Sequence, residues 1–340
     1  MKSPDFGECV STYLTMYLPG EAGLSENTIA AYSYTFQLIL QYAEEKCGLI
    51  AEKITFRNFN AEFVVGFLSW LENERGCSIA TRNQRLTSIR AFATYARKRN
   101  PGYLGESQKI ADIKTKKKPK PLLSHLSADN IQEIISQADA EDDYGRRDIV
   151  LLSLMYDSAA RVQEICDLCV SDVRLEKPYV VILTRKPNGK KQAVPIMEST
   201  ARILSQYITE NKLNLPGKSD YPLFANHQRN KLTRAGIAYI LKKYCDLARK
   251  GNPAIPSPIS PHVFRHSKAM HMLQAGMNLI YIRDFLGHEH VETTEIYAKA
   301  DTEMKRKAIE SAQISIDPEL PDWVGNKPLM QLLSKLCSKK

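Results

Sequence analysis

The residues with the clearest capacity for chemistry lie in one stretch near the C-terminal end of the sequence. They are, in order, His262, Arg265, His266, the run Leu286-Gly287-His288, and Tyr297. Arginine binds phosphate oxygens through a planar set of donors, histidine exchanges protons near neutral pH, and a tyrosine hydroxyl can act as a nucleophile. This combination predicts a site that handles a phosphate group.

Three helix ends are predicted to position these side chains. His262 and Arg265 are three residues apart and therefore share one face of a helix. A second helix carries Leu279, Ile282 and Leu286 as its apolar stripe, and Gly287 suits the left-handed position that ends such a helix. A third helix is expected to be capped by Thr293 or Thr294, with Tyr297 in or just after its first turn. The three ends could then converge on one anion.

The ordered set resembles the C-terminal signature of the tyrosine recombinases, also called phage integrases. That signature is a His-x-x-Arg, a Leu-Gly-His, and a tyrosine nine residues later, and it is present here from His262 to Tyr297. The resemblance implies that Tyr297 is the nucleophile and that His262, Arg265 and His288 are catalytic. Any one of these residues alone would more often be a packing aromatic or an ordinary histidine or arginine, whereas the ordered combination is specific.

A second arginine of the site is identified by a further resemblance. The pattern Ala-Arg161-Val-x-Glu164 is similar to the segment that carries the family's first catalytic arginine. Ala159 stands where the family usually has glycine, Gln163 where it has a small hydroxyl residue, and Lys268 where it has an apolar residue. The arginine itself is present, so Arg161 is predicted to be catalytic.

A lysine is expected at the tip of a β-hairpin. The β-branched runs 179–184 and 192–196 flank Pro187-Asn188-Gly189, which is a turn signal. The family places a catalytic lysine in such a tip, where Lys186, Lys190 and Lys191 compete for the role. Counting back from the second strand favours Lys186, while all three could instead solvate the turn or contact the DNA backbone.

The charge of the chain points toward a polyanionic partner. The formal net charge is +9, which fits nucleic acid and acidic membranes equally. A basic helix beginning at Ser78 or Thr81 and a lysine-rich linker around residues 114–120 could contact phosphates, or could be solvated charged surfaces. The predicted DNA contacts are Arg82, Arg85, Arg90, Lys116, Lys117, Lys118, Lys190, Lys191 and Arg234.

The predicted fold is mainly α-helical, with two domains and a small β-hairpin or sheet. The family resemblance implies a helical core-binding, SAM-like DNA-binding domain over residues 1–110 and a catalytic domain over 127–315, joined by a basic linker over 111–126. Residues 316–340 are predicted to form a tail helix, which could serve assembly or pack back on its own domain. A cap at Ser25 and another at Ser127 are predicted for helices in the two domains.

Several classes of function are disfavoured by the composition. The sequence has no run of about 18 apolar residues, so a membrane span is not expected. The N-terminal residues carry acids and no apolar core, which argues against a secretory signal. Seven cysteines fit reduced thiols in a cytoplasm. Cys166 and Cys169 lack the further ligands of a zinc site, so no metal is predicted.

The resemblance implies a site-specific DNA recombinase, the integrase or transposase of a mobile element. It would form a covalent 3′-phosphotyrosyl link with a free 5′-hydroxyl, without a metal or nucleotide cofactor, as a tetramer on two double-stranded DNA sites, with accessory recombination proteins as further partners. One alternative is a Xer-type recombinase that resolves chromosome dimers. Others are a catalytically silent DNA-binding relative and a type IB topoisomerase, which would relax supercoils as a monomer.

Overall fold

The computed structural model of the protein describes residues 5–117, 125–185, 189–288, 290–300 and 327–337. The chain divides into two compact units, Met1–Pro121 and Leu122–Lys340, which we call unit 1 and unit 2. Part of the predicted basic linker, including Lys118, lies outside the described residues, as does the predicted start of the tail. The predicted domain limits therefore stay predictions.

Unit 1 is built from helices around an aromatic core. Its elements are α1 (Asp5–Thr12), a π-helix (Tyr13–Glu21), α2 (Glu26–Cys47), α3 (Ala61–Asn73), α4 (Ile79–Arg99) and α5 (Leu104–Asp112). Phe92 of α4 is fully buried and contacts Phe6, Phe36 and Phe59 in edge-on geometry. Such ring pairs add to the stabilisation from burial alone.

Unit 2 contains helices and a three-stranded sheet. Its elements in chain order are α6 (Ala128–Ser136), α7 (Asp143–Ser158), α8 (Val162–Asp167), β1 (Val173–Arg174), β2 (Val180–Arg185), β3 (Lys190–Pro195), α9 (Glu198–Glu210), α10 (Arg234–Gly251), α11 (Pro261–Gln274), α12 (Leu279–Leu286), α13 (Glu292–Ala300) and α14 (Lys327–Cys337). The predicted mainly helical architecture with a small antiparallel sheet is confirmed.

The predicted helix starts follow from side-chain caps. Ser25, Ser78 and Ser127 precede α2, α4 and α6, and the hydroxyl of each accepts a hydrogen bond from the backbone N–H three residues later. A free N–H in the first helical turn is thereby paired. The predicted caps at Ser25 and Ser127 are confirmed, and α4 begins from Ser78 rather than from Thr81.

The sheet of unit 2 has the order β1-β2-β3, and both pairings are antiparallel. The predicted hairpin is present, but β3 begins at Lys190, two residues before the predicted start at Gln192. Backbone pairing continues toward the turn up to Arg185 opposite Lys190, because the ladder bonds do not depend on apolar side chains. Gly189 has a left-handed φ of 62°, as a tight turn requires.

The apolar interior of unit 2 has two parts. The larger cluster lies between α6, α7, α9 and α10 and the sheet. A smaller cluster contains Ala159, Met270, Leu273, Ile282, Leu286 and Tyr297. The packing of α7, α11, α12 and α13 in this smaller cluster holds the predicted catalytic elements together. Among the described residues, none of the helices combines the length and apolar character needed to traverse a bilayer.

Candidate active site

Arg265 on α11 connects two helix ends. The side chain is only 4% exposed. Its Nη1 donates to the carbonyl of Ala159 at 2.6 Å, and its Nη2 donates to the carbonyl of Leu286 at 2.6 Å. These carbonyls end α7 and α12, where helices carry partial negative charge. Burial lowers the pKa of Arg265 to about 9, so the guanidinium remains charged at neutral pH.

Ala159 adopts the conformation that glycine usually supplies. It caps α7 with a φ of 45°, in the left-handed region, at a cost of about 1 to 2 kcal/mol for a residue with a Cβ. The turn leads the chain toward Arg161 and directs the Ala159 carbonyl at Arg265. The departure from glycine at this position therefore preserves the turn before the first arginine.

Arg161 is held at the start of α8 by Glu164. The Glu164 carboxylate accepts from the backbone N–H of Arg161 at 2.7 Å and from Nη1 at 2.9 Å. The Arg161 side chain is 37% exposed, whereas that of Glu164 is 4% exposed. The fixed carboxylate thus anchors an arginine whose side chain still reaches solvent. The side-chain amide of Gln163 donates a hydrogen bond to the Asp167 carboxylate.

His288 follows α12 and faces the start of α13. Gly287 adopts the predicted left-handed conformation, with a φ of 62°. His288 Nδ1 lies 3.0 Å from the hydroxyl of Thr294. Burial, together with the charges of Arg265 and Arg161, lowers the pKa of His288 to about 4. The imidazole is therefore neutral at physiological pH and, with Nδ1 accepting, could donate a hydrogen bond from its other nitrogen.

The predicted cap of α13 was wrong. The helix begins at Glu292, and Thr294 lies buried within it beside His288. The amides of Thr293 and Thr294 bond to the carbonyls of His290 and Val291, so the backbone itself closes the first turn. Tyr297 lies early in the second turn of α13, just after the first.

Tyr297 is buried beside a histidine of α11. Its side chain is 1% exposed, and its hydroxyl lies 2.8 Å from Nδ1 of His266. Burial raises the pKa of Tyr297, while Arg265 and Arg161 oppose this by favouring the phenolate. Burial lowers the pKa of His266, so its neutral ring could accept the hydroxyl proton.

The structure thus brings together Arg161, His262, Arg265, His288 and Tyr297 on neighbouring elements of unit 2. The hydrogen bond observed for the Tyr297 hydroxyl involves His266, which was not among the predicted catalytic residues; the sequence left His262 either to assist proton removal from Tyr297 or to orient the phosphate. The signal for His266 was its spacing of four residues from His262, which places both rings on one helix face. Their centroids lie 6.5 Å apart.

Other predicted site residues lie elsewhere or outside the described residues. Lys186 lies outside them. Lys190 and Lys191 are exposed on β3, and Arg234 is exposed at the first position of α10. The structure gives none of these three a contact with the predicted catalytic set, so their DNA contacts stay predictions.

Most of the basic residues predicted to contact DNA from unit 1 make bonds within that unit. Each arginine donates to a main-chain carbonyl: Arg82 to Lys114, Arg85 to Ala31, and Arg90 to Ile113. Lys116 pairs with Glu72 at 2.8 Å, and Lys117 is exposed. These bonds explain the positions of the side chains, and contact with phosphates stays a prediction.

Lys268, the third departure from the family pattern, is accommodated by a charge partner. Its Nζ lies 3.1 Å from Oδ1 of buried Asp157 and 5.0 Å from the ring centre of Tyr156. Ion pairing and the aromatic face offset the cost of partial burial. Within the part of the chain that the structure describes, no three His, Cys, Asp or Glu side chains are grouped to hold a metal ion.

The depressed pKa of His288 predicts acid sensitivity. Because its folded pKa of about 4 lies below the ordinary value of 6.5, the unfolded chain binds more protons between these values. The free energy of unfolding should therefore fall as the pH drops below 6.5 toward 4. Urea unfolding should be measured near neutral pH and near pH 5. Between these two conditions, the free energy of unfolding should fall less for His288→Gln than for wild type. Exposed His227→Gln is the control, and an unchanged loss in the His288 variant would contradict the assignment.

Two family models match the chain. Residues 124–304 match the model described as Phage integrase family. Residues 12–100 match the model described as Phage integrase, N-terminal SAM-like domain. The two matches fall one in each unit, and the first includes Arg161, Arg265, His288 and Tyr297.

A curated relative agrees with these matches, and two solved structures share the fold of the chain. The tyrosine recombinase XerD of Listeria innocua is 30% identical over 83% of this chain and 90% of its own length. The Tn1549 transposon integrase, solved with transposon right end DNA, has a TM-score of 0.70 at 15% identity, covering 89% of this chain and 99% of its own. A lambda integrase tetramer bound to a Holliday junction has a TM-score of 0.62 at 15% identity, covering 87% of this chain and 78% of its own.

Proposed function

The chain belongs to the phage integrase family of tyrosine recombinases, enzymes that cleave and rejoin DNA, and from this premise we propose that Tyr297 attacks a DNA phosphodiester. One observation carries the proposal: the Tyr297 hydroxyl lies 2.8 Å from His266, the residue next to buried Arg265. The nucleophile Tyr297, the proton acceptor His266 and the cation Arg265 thus lie together beside α11. This is the arrangement that attack by a tyrosine on an anionic phosphate requires.

The reaction follows from the side chains. The Tyr297 oxygen forms a bond to phosphorus while the bond from phosphorus to the 5′ oxygen breaks. The hydroxyl proton passes to His266 or to His262, and in the first case His262 is free to orient the phosphate. The products are a 3′-phosphotyrosyl link and a 5′-hydroxyl, and attack by the hydroxyl of another strand reverses the step at a new junction.

Two arginines would hold the phosphate. Arg265 uses one N–H of each terminal nitrogen on a carbonyl, which leaves three of its five donors for the non-bridging oxygens. Arg161 is anchored by Glu164 and partly exposed, so its free donors could reach the same oxygens. Donors fixed in advance stabilise charge that develops in the transition state. His288 would add a further donor.

The leaving 5′ oxygen needs a proton, and we assign Lys186 to this role. It follows β2, the strand that ends at Arg185, at the hairpin where the family places its catalytic lysine. General acid catalysis at this oxygen would contribute about 100-fold or more to the rate.

The buried position of Tyr297 further requires that its side chain or α13 moves before the phosphate can be reached.

We further propose that the protein acts as a tetramer on two DNA sites, as the family resemblance implies. The lambda integrase to which the chain is similar in fold is a tetramer bound to a Holliday junction. Helix α14 is the proposed assembly element, because Met330, Leu332 and Leu333 on it are between 43% and 57% exposed. Such an amphipathic helix is too short to be stable alone in water. It would gain stability by docking on an apolar surface.

The proposed substrate is the ends of a mobile element. The hairpin, whose loop has one residue more than the family pattern, and the residues at 159, 163 and 268 depart from that pattern, which favours a specialised element over a housekeeping recombinase. The second candidate is a Xer-type chromosome dimer resolvase, because the XerD relative is 30% identical over most of both chains. Accessory recombination proteins are expected partners in either case.

The first experiment tests covalent attack. Duplexes that bind the protein are selected from a randomised pool and nicked, so that a short strand diffuses away after cleavage. Incubation in EDTA followed by a denaturing gel should show a protein–DNA adduct for wild type and none for Tyr297→Phe, because that variant lacks the attacking oxygen. Both proteins should bind the duplex equally.

The control replaces exposed Tyr239 by phenylalanine and should leave the adduct unchanged. DNA binding without an adduct on any selected duplex would instead favour a catalytically silent relative. Cleavage that requires a divalent metal would overturn the mechanism. Genomic fragments captured by Tyr297→Phe distinguish the two biological roles: paired sites flanking one segment indicate a mobile element, and a single chromosomal site indicates a Xer-type role.

A further inference from the structure

Arg185 is a buried cation that the predicted catalytic set does not include. It is the last residue of β2, where Val181 and Leu183 are fully buried and Arg185 is 7% exposed. Alternation along the strand places these three side chains on the same face. Burying a guanidinium costs free energy unless its donors are paired. The hydrogen-bond partners of Arg185 should therefore account for its burial.

The partners lie on three different elements. Nη1 lies 2.5 Å from the Glu164 carboxylate of α8, and Nε donates to Gln192 of β3 at 2.8 Å. Nη2 donates to the carbonyl of Phe285 near the end of α12 at 3.0 Å. Gln192 makes a second bond between the hairpin and α12, because its side-chain nitrogen donates to the carbonyl of Asp284 at 2.5 Å. One guanidinium thus joins the hairpin, the segment before His288, and the helix that follows Arg161.

Glu164 is the junction between Arg185 and the site. Its carboxylate also accepts from the backbone N–H and the Nη1 of Arg161. Two arginines therefore share one carboxylate whose side chain is 4% exposed. Neither cation is fully neutralised by it, which leaves positive charge on Arg161 for an anionic substrate.

We propose that Arg185 is a positioning residue for DNA cleavage, which acts by fixing Glu164 and, through it, Arg161 against the scissile phosphate. The inference rests on the proposed function. Without Arg185, the Glu164 carboxylate would pair with Arg161 alone. The donors of Arg161 would then be drawn away from the phosphate. Strand β2, which precedes Lys186, would also lose its bond to the Phe285 carbonyl of α12, so that Gln192 alone of these two side chains would still link the hairpin to that helix.

Lysine should replace Arg185 poorly. A guanidinium presents donors in a planar fork that can reach three acceptors in different directions, whereas an ammonium is a point charge. Arg185→Lys keeps the charge and should fold, but it should restore only part of the positioning. Arg185→Gln removes the charge and most of the bonds.

The test is single-turnover adduct formation at saturating DNA, on the nicked duplexes selected by wild type. Arg185→Gln should slow adduct formation about 100-fold, the scale expected for a small misplacement of a catalytic group. The dissociation constant for the duplex should stay within about threefold, since changes in positioning alter the rate more than ground-state binding. Arg185→Lys should fall between wild type and Arg185→Gln. The matched control is Arg174→Gln, an exposed arginine of β1 in the same sheet, which should cleave at the wild-type rate.

A double-mutant cycle separates positioning from general destabilisation. If Arg185 acts through Glu164, Glu164→Gln and Arg185→Gln should each slow cleavage, and the double variant should be little slower than the worse single variant. Losses that multiply in full would overturn the proposal, as would wild-type cleavage by Arg185→Gln or a loss confined to DNA affinity. Should Arg185→Gln not fold, the comparison of Arg185→Lys with wild type decides.

The two proposals fail in different ways. Absence of an adduct with wild-type protein would refute the proposed function, and with it the positioning role. An adduct with wild type that forms equally fast with Arg185→Gln would refute the positioning role alone.

Discussion

Replacing Arg265 by glutamine should slow covalent adduct formation about 1000-fold, since loss of one fixed donor at a developing charge costs about 100- to 1000-fold. The variant removes the buried cation next to the predicted scissile phosphate. It also leaves the carbonyls of Ala159 and Leu286 without their donor. Because each unpaired buried group costs about 1 to 3 kcal/mol, the free energy of unfolding should fall as well.

The measurement is single-turnover cleavage at saturating DNA, together with urea unfolding of the free protein. Arg283→Gln on α12 is the matched control, because among the described residues partly exposed Arg283 forms its ion pair with its exposed neighbour Asp284, and pairs that reach solvent contribute little. It should cleave at the wild-type rate. Wild-type cleavage by the Arg265 variant would remove this arginine from the proposed mechanism.

Replacing Gly287 by alanine should lower both the free energy of unfolding and the rate of cleavage. Gly287 has a φ of +62°, and a Cβ there would lie 2.6 Å from Nε of Arg185 and 2.9 Å from the Gln192 side-chain oxygen. The left-handed conformation costs about 1 to 2 kcal/mol with a Cβ, and the close contact adds about 1 to 3 kcal/mol. The new methyl group would also push apart the hairpin and the loop that carries His288, so cleavage should slow.

Gly276→Ala separates these two causes. Gly276 follows α11 and has a φ of +85°, but a Cβ there would meet nothing within 4 Å. Its variant should lose only the conformational part of the unfolding free energy and should retain cleavage. Equal losses of stability and activity in the two alanine variants would show that the contact with Arg185 and Gln192 is unimportant.

Much of the site could be predicted because its signals are local. A tyrosine, two histidines and an arginine in fixed order identify the family, and Gly287 has the left-handed conformation that its place after an apolar stripe predicts. The caps at Ser25 and Ser127 depend on bonds that reach only three residues along the chain. Such features need no knowledge of the tertiary structure.

Other features depend on contacts between distant segments. Thr294 resembles a helix cap in the sequence, but it is buried and contacts His288. Strand alternation could have placed Arg185 on the buried face of β2, but nothing local reveals its bonds to Glu164 and to α12. His266 had a usable signal in its helical spacing from His262, whereas its selection as the partner of Tyr297 depends on where α13 packs.

The sequence by itself determined the helical class, the hairpin, the family, and the residue types able to act on a phosphodiester. These follow from periodicity, caps and motif order, which are properties of short segments. The tertiary structure decided which histidine contacts Tyr297, which carbonyls anchor Arg265, and how Arg185 shares Glu164 with Arg161. The physical reason is that a buried charged or polar group must find its partners where the packing of distant helices and strands places them.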